Sequence, residues 1–251
     1  MENFKKNMKY QFIESKKFLL GFWITLILVD IAFYIMNNLS PQNINIGFSI
    51  GDLGINSPVS IVGVNIMAIL ISLIVYNFES NYEDFPLAIS LSMTRREYFV
   101  SFLADNIFLA FVFALIQGIL FKIEPIIMKM MDRVPLYDFI YFNIQTDNIF
   151  YIIFVLFILF LGFISFWNLL ASINYKVGYK MWIVLIGANI ILTSISFKIG
   201  FIETIFDAIE KTLSPRLGVL QILTILVTIG ILYSLNYLIV MRTDIKKKSL
   251  K

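Results

Sequence analysis

The chain has 251 residues, 59% of them hydrophobic and 16% aromatic, with a mean hydropathy of +0.84. That excludes a soluble globular domain and places the sequence among polytopic membrane proteins. The net charge of +3 gives nucleic acid no hold, and the lack of cysteine and histidine excludes disulfides, thiol nucleophiles, His–Zn sites and Ser-His chemistry. A carboxylate-only metal or acid–base site remains open.

Residues 1–17 set Phe4, Met8 and Phe12, spaced by four, among Lys5, Lys6, Lys9, Lys16 and Lys17. The pattern predicts an amphipathic helix lying on the lipid headgroups of an anionic leaflet. The competing reading is a basic flank that only sets topology. Six apolar segments follow, at 18–36, 59–76, 98–121, 149–171, 181–197 and 217–241, each near the roughly 20 residues that cross a hydrocarbon core. With the N-terminus inside, 14 of the 20 Lys and Arg residues fall on inner segments. The positive-inside rule then puts both termini in the cytoplasm. Trp23, Trp167 and Trp182 all fall near inner span ends, as one side of an aromatic belt would require. A short basic tail, 242–251, closes the chain.

The inner connection 78–97 is polar but patterned. Asp84 precedes Pro86, the order of a helix start, and Leu87, Ile89, Leu91 and Met93 alternate with Ala88, Ser90 and Ser92. Thr94 with Glu97 three residues on is a capping-box pattern that opens the third span. The expectation is a short helix near the interface, a turn at Thr94-Arg95-Arg96, and re-entry. Its apolar face needs headgroups or another protein to cover it.

The outer connections differ. Segment 37–58 carries Gly47, Gly51 and Gly54 and reads as a turn-rich loop, and 122–147 is long and mixed. In 198–216, Ile202, Ile205, Phe206 and Ile209 fall at helical spacing opposite Glu203, Asp207, Glu210 and Lys211. That helix either dips into the outer leaflet or packs on the outer loops.

Within the spans, Asp30 lies deep in the first, and Asp105 and Asn106 about two turns into the third. An ionisable group at that depth faces the bundle interior or a wet cavity, which makes Asp30, Asp105 and Asn106 candidates for a translocation path. Interhelical bonding is the alternative, and the simpler one for Asn65, Gln117, Asn189 and Asn236. No span repeats arginine every third residue, no phosphate loop is present and no internal repeat is visible. Voltage sensing and ATP binding of the phosphate-loop kind are excluded, and a repeat-built carrier is disfavoured.

The run Asp84-Phe-Pro-Leu-Ala-Ile-Ser-Leu-Ser-Met-Thr-Arg-Arg-Glu-Tyr-Phe99 resembles the first cytoplasmic loop of ABC-2-type ABC transporter permeases of Gram-positive bacteria. Those commonly read Phe-Pro-x-Ala-x-Ser-x-Gly-x-Thr-Arg-x-x-Phe/Tyr, and this chain departs from them at Ser92, where glycine is frequent. The resemblance implies an all-α membrane protein with six transmembrane helices, an N-terminal interfacial helix and a cytoplasmic coupling helix between spans 2 and 3. It implies a bacterial plasma-membrane permease that pairs with a second six-span subunit, as a homo- or heterodimer, and rests on cytoplasmic ABC ATPase subunits. The chain would be no enzyme and bind no cofactor; ATP and Mg would sit on the ATPase. Phe85, Pro86, Leu87, Ile89, Leu91, Met93, Thr94, Arg95, Arg96 and Glu97 would carry the coupling contact. The Phe-, Ile- and Leu-rich spans suit export of a hydrophobic or amphipathic cargo. Exporters of amphipathic peptides such as phenol-soluble modulins fit that composition best. The rival readings are a proton-coupled carrier using Asp30 and Asp105, and a membrane immunity or anchor protein.

Overall fold

The computed structural model describes residues 2–39, 47, 58–139, 141–187 and 217–243. The elements in order are α1 (Glu2–Leu39), α2 (Val62–Glu79), a π-helical turn (Ser80–Asp84), α3 (Phe85–Ser90) and α4 (Arg95–Met130). Two short antiparallel strands follow, β1 (Asp138–Phe139) and β2 (Phe142–Asn143). Then come α5 (Ile149–Val177), a helical stretch over 180–187, and the last helix, here α6 (Val219–Met241). Among the described residues five helical stretches are long and apolar enough to cross a membrane: Lys16–Leu39, Val62–Ser90, Arg95–Met130, Ile149–Val177 and Val219–Met241. The molecule is an α-helical, multi-pass membrane protein, in which helices satisfy backbone polar groups that lipid cannot. Of the predicted span 181–197 only 181–187 is described, as helix. Its remainder, the segment 198–216, most of the loop 37–58 and the tail from 244 lie outside the described residues.

Element boundaries differ most from expectation at three places, and α5 also runs on past 171 to Val177. No break separates 1–17 from the first span, because α1 runs uninterrupted from Glu2 to Leu39; Ser15-Lys16-Lys17 contains neither glycine nor proline, and lysine is a good helix former. Phe4, Met8 and Phe12 lie on its backbone, and their side chains are outside the described residues. Helix α2 does not end where the polar run begins but continues through the π turn into α3. Helix α4 does not stop at Phe121; it carries Pro125 in its interior and runs to Met130. Just past its end, Asp132 lies in the left-handed region at φ 52°. There Arg133 N–H reaches the Met128 carbonyl at 3.0 Å and Asp132 N–H that of Lys129 at 3.2 Å, the double bond of a Schellman stop.

The chain forms two compact units. The first comprises Met1–Leu73 and Val100–Leu161, the second Ile74–Phe99 and Gly162–Lys251. In the first, α1 and α4 run parallel. Phe22 and Trp23 meet Phe113 at ring separations of 5.2 and 5.8 Å. Further along, Phe33 and Tyr34 pack on Val59, Ile61 and Met128, and Arg133 donates to the Asn37 carbonyl at 2.6 Å. The connection after α4 is pinned rather than loose. Phe121 packs on Phe139 and Phe142, and the Lys122 ammonium donates to the carbonyls of Ile144 and Asp147.

The start of α2 is assembled from a distance. Glu124 accepts from the N–H groups of Ile61 and Val62 and, at 2.6 Å, from the Ser60 hydroxyl. Ser60 Oγ in turn accepts from Gly63 N–H at 2.8 Å. Gln117, seven residues before Glu124 and so on the same face of α4, donates to the Val62 carbonyl at 2.8 Å. A carboxylate here complements both the unpaired N–H groups and the positive end of the helix.

Candidate functional site

The second unit is organised around residues 80–99. Pro86 has no N–H and its ring clashes with the carbonyl four residues back, so a plain α-helix would kink or stop there. The chain instead widens into the π turn, where Phe85 N–H bonds the Ser80 carbonyl five residues behind it. Asp84 is itself helical (φ −69°, ψ −41°) and makes no side-chain cap bond. The expected helix start at Asp84 is therefore absent: the π turn absorbs Pro86 and the helix passes through.

The true stop comes six residues later. Leu91 leaves helical geometry and Ser92 adopts φ 63°. Ser92 N–H bonds the Ile89 carbonyl at 3.0 Å and Met93 N–H that of Ala88 at 3.1 Å, a second Schellman stop. The left-handed position falls on the residue where the resembled motif has glycine, and a serine there bears a conformational cost that glycine avoids. The restart follows at once. Glu97 N–H donates to Thr94 Oγ1 at 3.2 Å while Thr94 N–H donates to Glu97 Oε2 at 3.0 Å, the reciprocal bonds of a capping box.

Alternating residues share no face of an α-helix such as α3, since each residue turns by about 100°. Of the ten residues expected to carry a coupling contact, Phe85 and Met93 point inward, each 3% exposed. Phe85 packs on Tyr98 and Tyr175 at ring separations of 5.2 and 5.8 Å, and the Tyr98 hydroxyl donates to the Ser80 carbonyl at 2.8 Å. Leu87 and Leu91 point outward, at 45% and 56% exposure. Arg96 and Thr94 are also exposed, and Pro86, Ile89, Arg95 and Glu97 are half-buried. The outward surface is thus Leu87 and Leu91 flanked by Ser90, Ser92, Thr94 and Arg96. Arg95 is turned elsewhere: its Nη1 donates to the Met241 carbonyl at the end of α6, at 2.5 Å.

Just before this surface in the chain lies an amide cluster. Asn81, inside the π turn, donates to the Asn77 carbonyl at 2.9 Å and to Asn168 Oδ1 at 3.3 Å, and accepts from Ser172 Oγ at 2.7 Å. All four residues are buried. The bonds fasten the π turn to α5, so the turn is held by side chains 87 and 91 positions away.

The translocation candidates do not meet. Asp30 and Asn65 are buried together, with Asn65 Nδ2 donating to Asp30 Oδ2 at 2.8 Å. Asp105 and Asn106 are buried near the start of α4, and neither Asn106 side-chain atom has a partner among the described residues. Trp23 and Phe113 fix the register of the parallel α1 and α4. At 1.5 Å per residue, Asp30 and Asp105 then stand roughly 20 Å apart along the helices. Among the described residues no cluster of three or more Asp or Glu side chains could hold a metal.

Comparison with known protein families, with curated proteins and with solved structures finds no match. The site therefore rests on its own geometry. Sequence reasoning passed over Glu124, Ser60, Asn81, Asn168 and Ser172. The seven-residue step from Gln117 to Glu124 was the available signal for the first; nothing local marks the partners of Asn81.

Proposed function

We propose that this chain is the membrane subunit of an ATP-driven exporter of the ABC-2 type, six-spanning and anchored in a bacterial plasma membrane with both termini cytoplasmic. The observation that carries this reading is the surface presented by residues 85–97. Two exposed leucines, Leu87 on a short helix and Leu91 at its end, precede a Schellman stop and the capping box that follows it, ringed by hydroxyls and Arg96. Lipid chains would leave that polar ring unsatisfied, whereas a groove in a soluble protein matches both parts. The partner is a cytoplasmic ABC ATPase that carries ATP and Mg, and a second six-span subunit completes the transporter. Closure of the ATPase pushes on Leu87 and Leu91 and tilts α2 and α4. Arg96 pairs with acidic groups of the ATPase or with lipid phosphates. The cargo is hydrophobic or amphipathic, of the amphipathic-peptide class.

The test is gentle purification of a tagged chain from its native host. A stoichiometric ATPase that is lost with Leu87→Asp and Leu91→Asp supports the reading, while a chain that purifies alone overturns it. Met93→Asp is the wrong probe, because Met93 is buried and a charge there would unfold the turn.

A proton-coupled carrier is the second reading, favoured by the burial of Asp30 beside Asn65. Asp30 and Asp105 stand apart along α1 and α4, so the reading is tested at each separately, with Asp30→Asn and Asp105→Asn.

A further inference from the structure

The first turn of α4 and the last turn of α6 touch twice, one helical turn apart. Arg95 donates to the Met241 carbonyl, and four residues on Phe99 packs edge-to-face on Tyr237, four residues before Met241, at a ring separation of 5.1 Å. The two helices therefore pass antiparallel here. The last four carbonyls of a helix have no partner within it and carry its negative end, so a guanidinium is the matching donor. Around the contact, Arg242 N–H bonds the carbonyls of Ile239 and Val240, and Thr243 Oγ1 donates to Ile239 at 2.6 Å. Phe99 is buried and Arg95 half-buried, so the contact is sheltered from competing water.

We infer that Arg95 is a positioning residue that clamps the turn after α3 to the end of α6, so that α6 moves with that turn. This rests on the proposed coupling role of residues 85–97 for its purpose, though not for its existence. It divides the two adjacent arginines: Arg96 faces outward, and Arg95 transmits. A displacement of α3 then reaches α6 directly as well as its own flanking helices.

The native chain has no cysteine, so two can be placed cleanly. Arg96→Cys and Arg242→Cys are the exposed neighbours of the clamp, and a short bis-maleimide reports whether they stay together. Adding Arg95→Gln should lower the cross-linking rate about fivefold, as loss of a charge-assisted bond implies. Arg95→Lys, which keeps a cationic donor, should retain most of it. If Arg95→Gln leaves the rate unchanged in a chain that is monodisperse on size exclusion, the clamp is overturned. If it does not fold, Phe99→Leu is used in its place, with the same fall expected and the same unchanged rate overturning the clamp. Partner capture is scored with the arginines at 96 and 242 intact. Arg95→Gln should still bring down the ATPase that Leu87→Asp loses, and an ATPase lost with Arg95→Gln while cross-linking persists makes Arg95 a docking residue instead. A native chain that captures no ATPase but shows the Arg95-dependent cross-link sinks the exporter reading and leaves the clamp standing.

Discussion

Among the described residues, two helices begin on a hydroxyl and a glutamate. At α4 the pair is Thr94 and Glu97, three residues apart, half in water. At α2 it is Ser60 and Glu124, 64 residues apart and buried, the glutamate only 1% exposed. The same unsatisfied N–H groups are met in both cases. In the first the donors keep access to water and the cap adds a modest preference for starting there. In the second no water can replace the carboxylate, so the start of α2 depends on α4 being in place. The local cap marks a boundary; the distant one holds helices together.

That contrast sets an order of effects. Glu124→Ala leaves three buried donors unpaired and should cost about 3–5 kcal/mol, seen as a large drop in the thermal midpoint in detergent. A drop no larger than that of a surface change would mean that water reaches the site. Asn65→Leu removes one donor from buried Asp30 and should cost about 1–3 kcal/mol; Asp30→Asn, which keeps a polar partner, should lose less in the same melt. Thr94→Ala removes the exposed cap and should cost about 1 kcal/mol. A loss at Thr94 matching that at Glu124 would erase the distinction between the two starts. Ser92→Gly, at the left-handed position just before the second start, should be the smallest change and of opposite sign. It should stabilise by about 0.5–1 kcal/mol, the relief of a left-handed serine less the added chain entropy of glycine.

Legibility in the sequence followed the range of the interactions. The capping box at Thr94 and Glu97 was readable because both partners lie within one turn. Five of the six apolar spans were readable among the described residues, because lipid selects for length and hydropathy. Alternation through Leu87, Ile89, Leu91 and Met93 misled, because those residues fall partly on a short helix and partly on its stop. Asp84 misled as well: an acid before proline signals a start only when the helix does not continue through it. The turn expected at Thr94-Arg95-Arg96 lies instead at Leu91-Ser92, with Arg95 and Arg96 already in α4; the resembled motif has glycine at the Ser92 position, and φ 63° there gives the physical reason why glycine would suit it.

The sequence by itself determined that the chain is helical, membrane-embedded and free of sulfur and imidazole chemistry, since those are properties of composition and of neighbours one or two turns apart. Only the tertiary structure decided which leucines face outward, that Asp30 and Asp105 lie apart, that Glu124 caps a helix that begins some 60 residues earlier, and that Arg95 turns toward α6. These depend on groups brought together across long stretches of chain. A buried polar group takes whichever partner packing delivers to it, and local sequence does not encode that choice.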